Sequence, residues 1–241
     1  MIRPPFRDQR GVAKYRHEVL AVVLRAAVGE PFRLQVLTRR RDHEPFSGRL
    51  ALPSGPVEVS ESMEEAMDRH LAGQLGLVRI AHREQLATYS DPGRDPFERT
   101  IATAYLGLVP CDRDEELSVG AVWVDAADLP ELAFDHLLVV EAALDRLRGK
   151  ISYTNIAFAL APAEFTMATL RGIYGAVLGH DVDVTNLSRV LRRRGQIARV
   201  GTLAEPGERG GRPPSTWRFA VNSFRVTDPF AALGPGRTHE V

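Results

Sequence analysis

The chain is poor in cysteine and in long apolar runs. Its single cysteine, Cys111, excludes an internal disulfide and a cysteine-based metal cluster. No apolar run approaches the roughly 18 residues that cross a bilayer, because VLAVVLRAAV is interrupted by Arg25. The charged start MIRPPFRDQR is not followed by an apolar segment with a small-residue cleavage site, so it does not read as a signal peptide. We therefore expect a cytoplasmic protein that has no association with a membrane.

A net charge is lacking too, since 31 lysines and arginines balance 31 aspartates and glutamates. The balance conceals an asymmetry. Residues 1–150 carry an excess of four acidic side chains, and residues 151–241 an excess of four basic ones. A length of 241 residues suits two domains that each bury a core. We expect an acidic sensing domain at 1–150 and a basic domain at 151–241 that meets a polyanion.

The first half alternates segments of strand and helix character. Four runs are apolar and rich in β-formers, as strands are: 18–28, 32–40, 99–110 and 120–129. A turn at proline and glycine predicts a further strand pair in RLALPSGPVEV. Residues 62–75 predict a helix, with a cap at Ser60 or Ser62 and a stop at Gly76. A closing helix is expected around 136–147. This order predicts a mixed sheet between helices, an α/β/α sandwich.

The second half predicts helix, turn, helix, strand, loop and strand. Thr166 is a suitable N-cap for the amphipathic segment MATLRGIYGAVLG, which Gly179 ends. A second helix is expected over 185–196. IARVG and STWRFAV are short strands on either side of the glycine- and proline-rich loop LAEPGERGGRPP. This order is that of a winged helix-turn-helix domain.

Residues 53–77 contain a motif from which acidic side chains are missing. Positions 70, 73 and 74 are spaced to share one face of a helix. A diphosphate hydrolase needs carboxylates there, because Mg²⁺ takes hard oxygen ligands and bridges phosphate oxygens. His70, Gly73 and Gln74 supply no anionic oxygen, so Mg²⁺ binding is not expected. The acids that remain nearby are either a solvated helix face or residual metal ligands: Glu61, Glu64 and Glu65.

The same segment resembles the Nudix box, G-x5-E-x7-R-E-U-x-E-E-x-G-U, in which U is a bulky aliphatic residue. The positions that match are Gly55, Glu61, Arg69, Leu71, Gly76 and Leu77. Three further segments resemble one subgroup, the Nudix-related transcriptional regulators of NAD metabolism known as NrtR: 89–110, 121–136 and 146–162. The resemblance implies a Nudix domain without catalytic residues or a required cofactor. It also implies ADP-ribose or a related NAD metabolite as effector.

We expect the helix at 185–196 to read DNA. Asn186 and Arg189 lie near its start, where asparagine pairs with adenine and arginine with guanine. The cations at its other end suit phosphate contacts, although cations also suit a solvated helix end. These are Arg192, Arg193 and Arg194.

The loop and strand after this helix add further candidates for DNA contacts. Arg209 and Arg212 lie on the loop, from which they would enter the minor groove or hold the backbone. Thr216 would donate a hydrogen bond to a phosphate. Domains of this kind normally act as dimers on two-fold operators, which implies a homodimer on palindromic double-stranded DNA.

The resemblance also implies which residues hold the effector. A pyrophosphate is bound by guanidinium groups and backbone amides. Arg39 and Arg40 end a strand beside the box, and Ser54 followed by Gly55 permits close approach of the backbone. We expect these four residues to surround the phosphates.

Three more residues are effector candidates by the same resemblance. Arg94, in SDPGRD, is one of them. Phe134 covers a base or ribose, or else it is an ordinary core aromatic. His136 donates to a phosphate or ribose, or else it has a structural role at the start of a helix.

The leading hypothesis is a transcriptional repressor of NAD biosynthesis or salvage genes that is relieved by ADP-ribose. One alternative is a divergent Nudix hydrolase, an ADP-ribose pyrophosphatase with residual Mg²⁺-dependent activity. A second is a nucleotide-binding adaptor whose basic half meets a protein instead of DNA. Only the repressor should bind duplex DNA with an affinity that falls steeply with salt.

Overall fold

The computed structural model of the protein describes residues 6–76, 79–113, 116–202 and 213–228. Contacts divide the chain into two compact units. The first unit comprises residues 1–25, 34–109 and 113–144, and the second comprises 26–33, 110–112 and 145–241. Within the described ranges, none of the helices combines the length and apolar character that crossing a bilayer requires.

The elements of the described chain follow one another in a mixed order of strands and helices. They are β1 (Phe6–Arg7), β2 (Ala13–Lys14), β3 (Arg16–Ala27), β4 (Arg33–Arg40), β5 (Leu50–Ala51), β6 (Ser54–Pro56), α1 (Met63–Leu75), β7 (His82–Tyr89), β8 (Thr100–Leu108), β9 (Ala121–Asp125), α2 (His136–Ile151), a 3-10 helix (Ile156–Ala159), β10 (Phe165–Thr166), α3 (Met167–Leu178), α4 (Val184–Arg193), β11 (Ile197–Thr202) and β12 (Ser215–Phe219).

The first unit is built on a mixed seven-stranded sheet. Its strands lie in the order β5-β4-β3-β8-β7, with β6 also paired to β3 and β9 to β4. Strands β3 and β8 are parallel, whereas β5, β6, β7 and β9 join their neighbours in antiparallel fashion. The mixed α/β fold predicted from the sequence is therefore confirmed.

The core of this unit is centred on β3. Residues 19–24 are all buried, so both faces of the strand are covered. This explains why the segment is a continuous apolar run with no alternation. The odd-numbered residues pack in one cluster with the apolar face of α1, which consists of Ala66, Met67, Leu71 and Leu75.

Helix α1 begins and ends where its capping residues predict. The Ser62 hydroxyl accepts the N–H of Glu65 at 3.3 Å, and the Glu65 carboxylate accepts the N–H of Ser62 at 2.7 Å. This reciprocal capping box satisfies two of the N–H groups that a helix leaves unpaired at its start. Gly76 ends the helix in the left-handed conformation, with φ of 72°.

The prediction that RLALPSGPVEV forms a strand pair is wrong. Strands β5 and β6 do form, but they do not pair with each other: β5 pairs with β4, and β6 pairs with β3. The apolar partners that β3 and β4 offer outweigh the local turn. Strand β7, which the sequence did not suggest, forms an edge of the sheet beside β8.

The second unit has the helices and strands of a winged helix-turn-helix. The Thr166 hydroxyl caps α3, and Gly179 ends it with φ of 76°. Asp183 caps α4 by accepting the N–H of Asn186 at 2.6 Å. Helix α4 buries only Leu187 and Leu191. Strands β10, β12 and β11 form a small antiparallel sheet.

The long final segment of the second unit starts at Asp145, inside α2. The predicted boundary between residues 150 and 151 lies at the end of that helix.

Candidate functional site

Two of the three replaced Nudix positions, His70 and Gln74, are bonded to the backbone of strand β6. The His70 ring donates from Nε2 to the Pro56 carbonyl at 3.0 Å. The Gln74 amide donates to the Ser54 carbonyl at 2.8 Å and to His70 Nδ1 at 3.3 Å. A carboxylate has no proton for these carbonyls, so both side chains do what glutamate cannot. The donor set faces protein oxygens and does not fit Mg²⁺.

The His70 ring also explains why residue 55 must be glycine. A Cβ atom built on Gly55 would lie 2.1 Å from the ring carbon Cε1 and 2.4 Å from Nε2. Such a contact is far inside van der Waals distance, so a larger residue at position 55 would displace the ring and disturb its bond to Pro56. Gly73, by contrast, is exposed, and a Cβ there would meet nothing within 4 Å.

The three residual acids are dispersed and already engaged in part. Arg69 is ion-paired with Glu61, with Nε at 2.9 Å from Oε2, and this lowers the Glu61 pKa to about 2. Glu65 belongs to the capping box, and Glu64 is exposed. Among the described residues, no group of three or more histidine, cysteine, aspartate or glutamate side chains is arranged to hold a metal.

A cavity of about 310 Å³ opens beside β4 and β6, within the size range of small-molecule sites. All seven of the predicted effector residues line it, together with residues that the sequence reasoning missed. The predicted ones are Arg39, Arg40, Ser54, Gly55, Arg94, Phe134 and His136. The residues not predicted from the sequence include Arg16, Glu18, Arg41, Asp95 and Glu98.

The arginines at the end of β4 are differently engaged. Arg39 lies 3.3 Å from the exposed carboxylate of Asp42, a weak surface pair. Arg40 donates to the Gly48 carbonyl at 2.6 Å, and Arg41 donates to the Pro45 carbonyl at 2.7 Å. Each guanidinium has five N–H groups, so several donors remain for an anion.

Arg94 and His136 form the buried part of the cavity wall. Arg94 makes a two-point pair with Asp135, at 2.8 and 3.0 Å. His136 Nδ1 accepts the N–H of Leu52 at 3.0 Å, so the ring proton is on Nε2. Burial, with help from the charges of Arg94 and Arg41, lowers the His136 pKa to about 3. The ring is neutral at physiological pH.

Phe134 is half-buried at the cavity wall. Its ring packs edge-on against Phe46 at 5.0 Å, and the Arg41 guanidinium lies 4.8 Å from its centroid. Both phenylalanines have positive φ, 57° for Phe134 and 64° for Phe46. Residues other than glycine rarely adopt this backbone conformation, and such backbone strain is concentrated at ligand sites.

Helix α4 exposes one polar face. Asn186, Arg189, Arg192 and Arg193 are exposed, and the last three line a shallow depression with the start of the helix. The Arg189 guanidinium donates to the Asn186 side-chain oxygen at 2.6 Å, which orients both groups. The Arg192 guanidinium lies 5.6 Å from the ring centroid of Trp217 on β12.

The remaining predicted DNA contacts are placed differently. Arg194 donates to the Ser152 carbonyl at 2.7 Å and is ion-paired with Asp228, so it fastens the end of α4 within its own unit. Thr216 is buried on β12. Arg209 and Arg212 lie outside the described residues.

Two family models match the chain. The NUDIX domain covers residues 14–142, and the NrtR DNA-binding winged helix domain covers residues 157–219. The chain belongs to the Nudix family and carries an NrtR winged helix domain. The predicted family is thus confirmed, including its two-domain composition.

This Nudix protein resembles relatives of two kinds. It is 29% identical to the ADPR responsive transcriptional repressor NtrR of Acinetobacter baylyi, over 86% of this chain and 84% of that protein. It is 35% identical to the ADP-ribose pyrophosphatase of Methanocaldococcus jannaschii, over 48% of this chain and 68% of that enzyme.

Solved structures agree with the two-domain fold. Shewanella oneidensis NrtR matches with a TM-score of 0.71 and 25% identity, covering 84% of this chain and 93% of that one. The same protein complexed with a 27mer DNA matches with a TM-score of 0.68 and 25% identity, covering 84% and 92%.

Proposed function

We propose that this protein is a transcriptional repressor of NAD biosynthesis or salvage genes, relieved when ADP-ribose or a related metabolite occupies the Nudix cavity. The observation that carries the proposal is the pairing of two features in one chain. A Nudix cavity has hydrogen-bond donors in place of metal-binding acids, and a winged helix exposes an arginine-rich face on α4. The relation to an ADPR responsive repressor along most of the chain supports it.

The effector's pyrophosphate is best met by the arginines at the end of β4. Arg39 and Arg40 retain unpaired N–H groups beside the backbone of Ser54 and Gly55. Arg94 is committed to Asp135, so its contribution is to position that wall. Phe134 offers an aromatic surface, and His136 offers an N–H to a phosphate or ribose.

On the DNA side, Asn186 and Arg189 are assigned to base edges, since they are exposed near the start of α4. Arg192 and Arg193 are assigned to phosphates, along with Arg209 and Arg212 from the loop. We assign Arg194 and Thr216 to holding the domain together, because one is ion-paired within it and the other is buried. A homodimer on a palindromic operator completes the proposal.

The cavity is proposed to bind ADP-ribose without hydrolysing it. A sensor that destroyed its signal would shorten its own response, and the bonded His70 and Gln74 leave no cluster of acids for a metal. The identity of 35% to an ADP-ribose pyrophosphatase keeps hydrolysis as the second candidate.

One experiment separates the two. Fluorescence anisotropy measures binding to promoter duplexes of NAD-synthesis genes with and without ADP-ribose, while chromatography follows AMP formation in the presence of Mg²⁺. A repressor binds at least one promoter, loses affinity with ADP-ribose, and forms no AMP above a protein-free blank. Failure to bind any such promoter, together with steady AMP formation, would establish the hydrolase.

A further inference from the structure

Glu18 is an acidic side chain of the cavity to which the proposed effector contacts give no role. Glu18 stands on β3, opposite Pro56 of β6, and its side chain is only 15% exposed. One carboxylate oxygen, Oε1, lies 2.6 Å from Nη2 of Arg16. Within the described residues, no hydrogen bond to the second oxygen is found, and Glu18 lines the cavity. Glu18 therefore offers one acceptor to a molecule in the cavity.

The charges around Glu18 disfavour an anion at that acceptor. Burial raises the pKa of Glu18, the charges of Arg16 and Arg94 lower it, and Asp95 and Glu98 raise it again. Both arginines already have other partners. Arg16 also forms an ion pair with Glu98 at 3.0 Å, and Arg94 forms one with Asp135. Arg41 is also within electrostatic range of Glu18, but its guanidinium already donates to the Pro45 carbonyl. A phosphoryl group beside Glu18 would face the Glu18 carboxylate itself, with Asp95 and Glu98 nearby.

A second polar group of the cavity is open in the same way. His136 is only 2% exposed, and its Nε2–H has no partner among the residues that the structure describes. Both His136 and Glu18 are within electrostatic range of Arg94. The cavity thus contains both an acceptor and a neutral donor, the two kinds of group that bind a hydroxyl.

We propose that Glu18 is a specificity residue that accepts a hydrogen bond from a ribose hydroxyl of the effector and excludes a phosphoryl group at the same place. A carboxylate that bonds a ribose hydroxyl is a general device for preferring an unphosphorylated sugar. The inference rests on the proposed function, since it assumes that an ADP-ribose-like diphosphate occupies the cavity. It adds that the cavity rejects the same molecule carrying an extra phosphate on the recognised ribose.

Isothermal titration calorimetry on the full chain tests this with three probes. They are ADP-ribose, its 2′-phosphate on the adenosine ribose, and its 1″-phosphate on the terminal ribose. The wild-type protein should bind at least one phosphorylated probe about tenfold more weakly than ADP-ribose, and the probe that is rejected identifies the ribose.

The substitution Glu18→Gln keeps the side-chain volume and removes the charge. It should weaken ADP-ribose about tenfold and reduce discrimination against the rejected probe to within about threefold. Glu131→Gln is the matched control, because it breaks an exposed pair with Arg49 outside the cavity. The control should bind all three probes as the wild type does.

The outcomes are separable. If the wild type binds all three probes equally, or if Glu18→Gln with an unchanged melting temperature behaves as wild type, the specificity assignment is wrong while ADP-ribose binding stands. If the wild type binds none of the probes, the proposed effector itself is wrong. The wild-type comparison needs no variant, so a folding defect in Glu18→Gln cannot leave the matter undecided.

Discussion

At the scale of single residues, two of the replaced Nudix positions carry hydrogen-bond donors where a hydrolase carries carboxylate acceptors. His70 and Gln74 donate hydrogen bonds to the Pro56 and Ser54 carbonyls, so these side chains hold strand β6 to α1. In a metal-dependent hydrolase the same face would carry carboxylates, which repel carbonyl oxygens unless a cation lies between them. The substitutions thus supply local stability where a hydrolase needs a metal.

Restoring one acid should therefore destabilise the protein. In Gln74→Glu, a carboxylate faces the Ser54 carbonyl and His70 Nδ1, and both lose their donor. We expect the free energy of unfolding to fall by about 1–3 kcal/mol, as when a part-buried polar group loses its partner. Urea unfolding measures it. Gln85→Glu, the same change at an exposed position of β7, should be nearly neutral, and equal losses in both variants would contradict the role given to Gln74.

The buried His136 should make the protein sensitive to mild acid. Its pKa is about 3 in the folded chain and about 6.5 when unfolded. Between these values only the unfolded state takes up the proton, so stability is full above about pH 6.5 and falls as the pH is lowered. From pH 7 to pH 5 this costs about 2 kcal/mol.

The variant His136→Asn keeps an acceptor for Leu52 and does not titrate. It should lose correspondingly less stability than the wild type over that pH range, as measured by urea unfolding at both pH values. Parallel losses in the two proteins would show that other groups account for the acid sensitivity.

At the scale of elements, the sequence predicted what local chemistry determines. The caps of α1 and α3 at Ser62 and Thr166, and their glycine ends, follow from side chains a few residues apart. The partners of β5 and β6 do not follow from nearby residues. They pair with β4 and β3, strands that lie outside the segment RLALPSGPVEV and are brought beside them only by the sheet. Strand β7 was not predicted, because its run HREQLATY is polar on the exposed face and so is not an apolar segment.

Helix α4 should account for DNA binding. The double substitution Arg189→Ala with Arg192→Ala removes one candidate base contact and one phosphate contact from its exposed face. Binding to the operator should weaken at least 100-fold, and the salt dependence should become shallower by about one unit of slope. Anisotropy titrations at several salt concentrations measure both quantities.

The control for that experiment is Arg79→Ala with Arg83→Ala, which removes two exposed arginines from the first unit. It changes the net charge equally and should leave operator affinity within about twofold. If both double variants lose affinity alike, bulk charge would explain binding and α4 would not be the reading helix.

At the scale of the whole molecule, effector and operator are coupled by thermodynamics. ADP-ribose can weaken DNA binding only if it prefers the unbound protein, and DNA must then weaken ADP-ribose binding by the same factor. We expect a coupling of about 10- to 100-fold. Titrating ADP-ribose with and without saturating operator, and operator with and without saturating ADP-ribose, should give equal ratios. Unequal ratios would show that the effector acts by another route, such as dissociation of an oligomer.

The candidate site was only partly visible in the sequence. Arg39, Arg40, Ser54 and Gly55 were found because they lie in or beside a recognisable motif, and all four line the cavity. Glu18 was missed because it reads as the first residue of an apolar strand, and its register against Pro56 is a property of the sheet. Phe46 was missed because the backbone conformation that brings it to Phe134 leaves no pattern in the residue types.

The two tryptophans give each unit its own fluorophore. Trp123 belongs to the first unit, with the Arg25 guanidinium 4.3 Å from its ring centroid, and Trp217 belongs to the second, with Arg192 at 5.6 Å. A cation above an indole is part of its electronic surroundings, so drawing Arg192 onto a phosphate should alter the emission of Trp217 alone. The emission of Trp217 should therefore report occupancy of the exposed face of α4 without an attached dye.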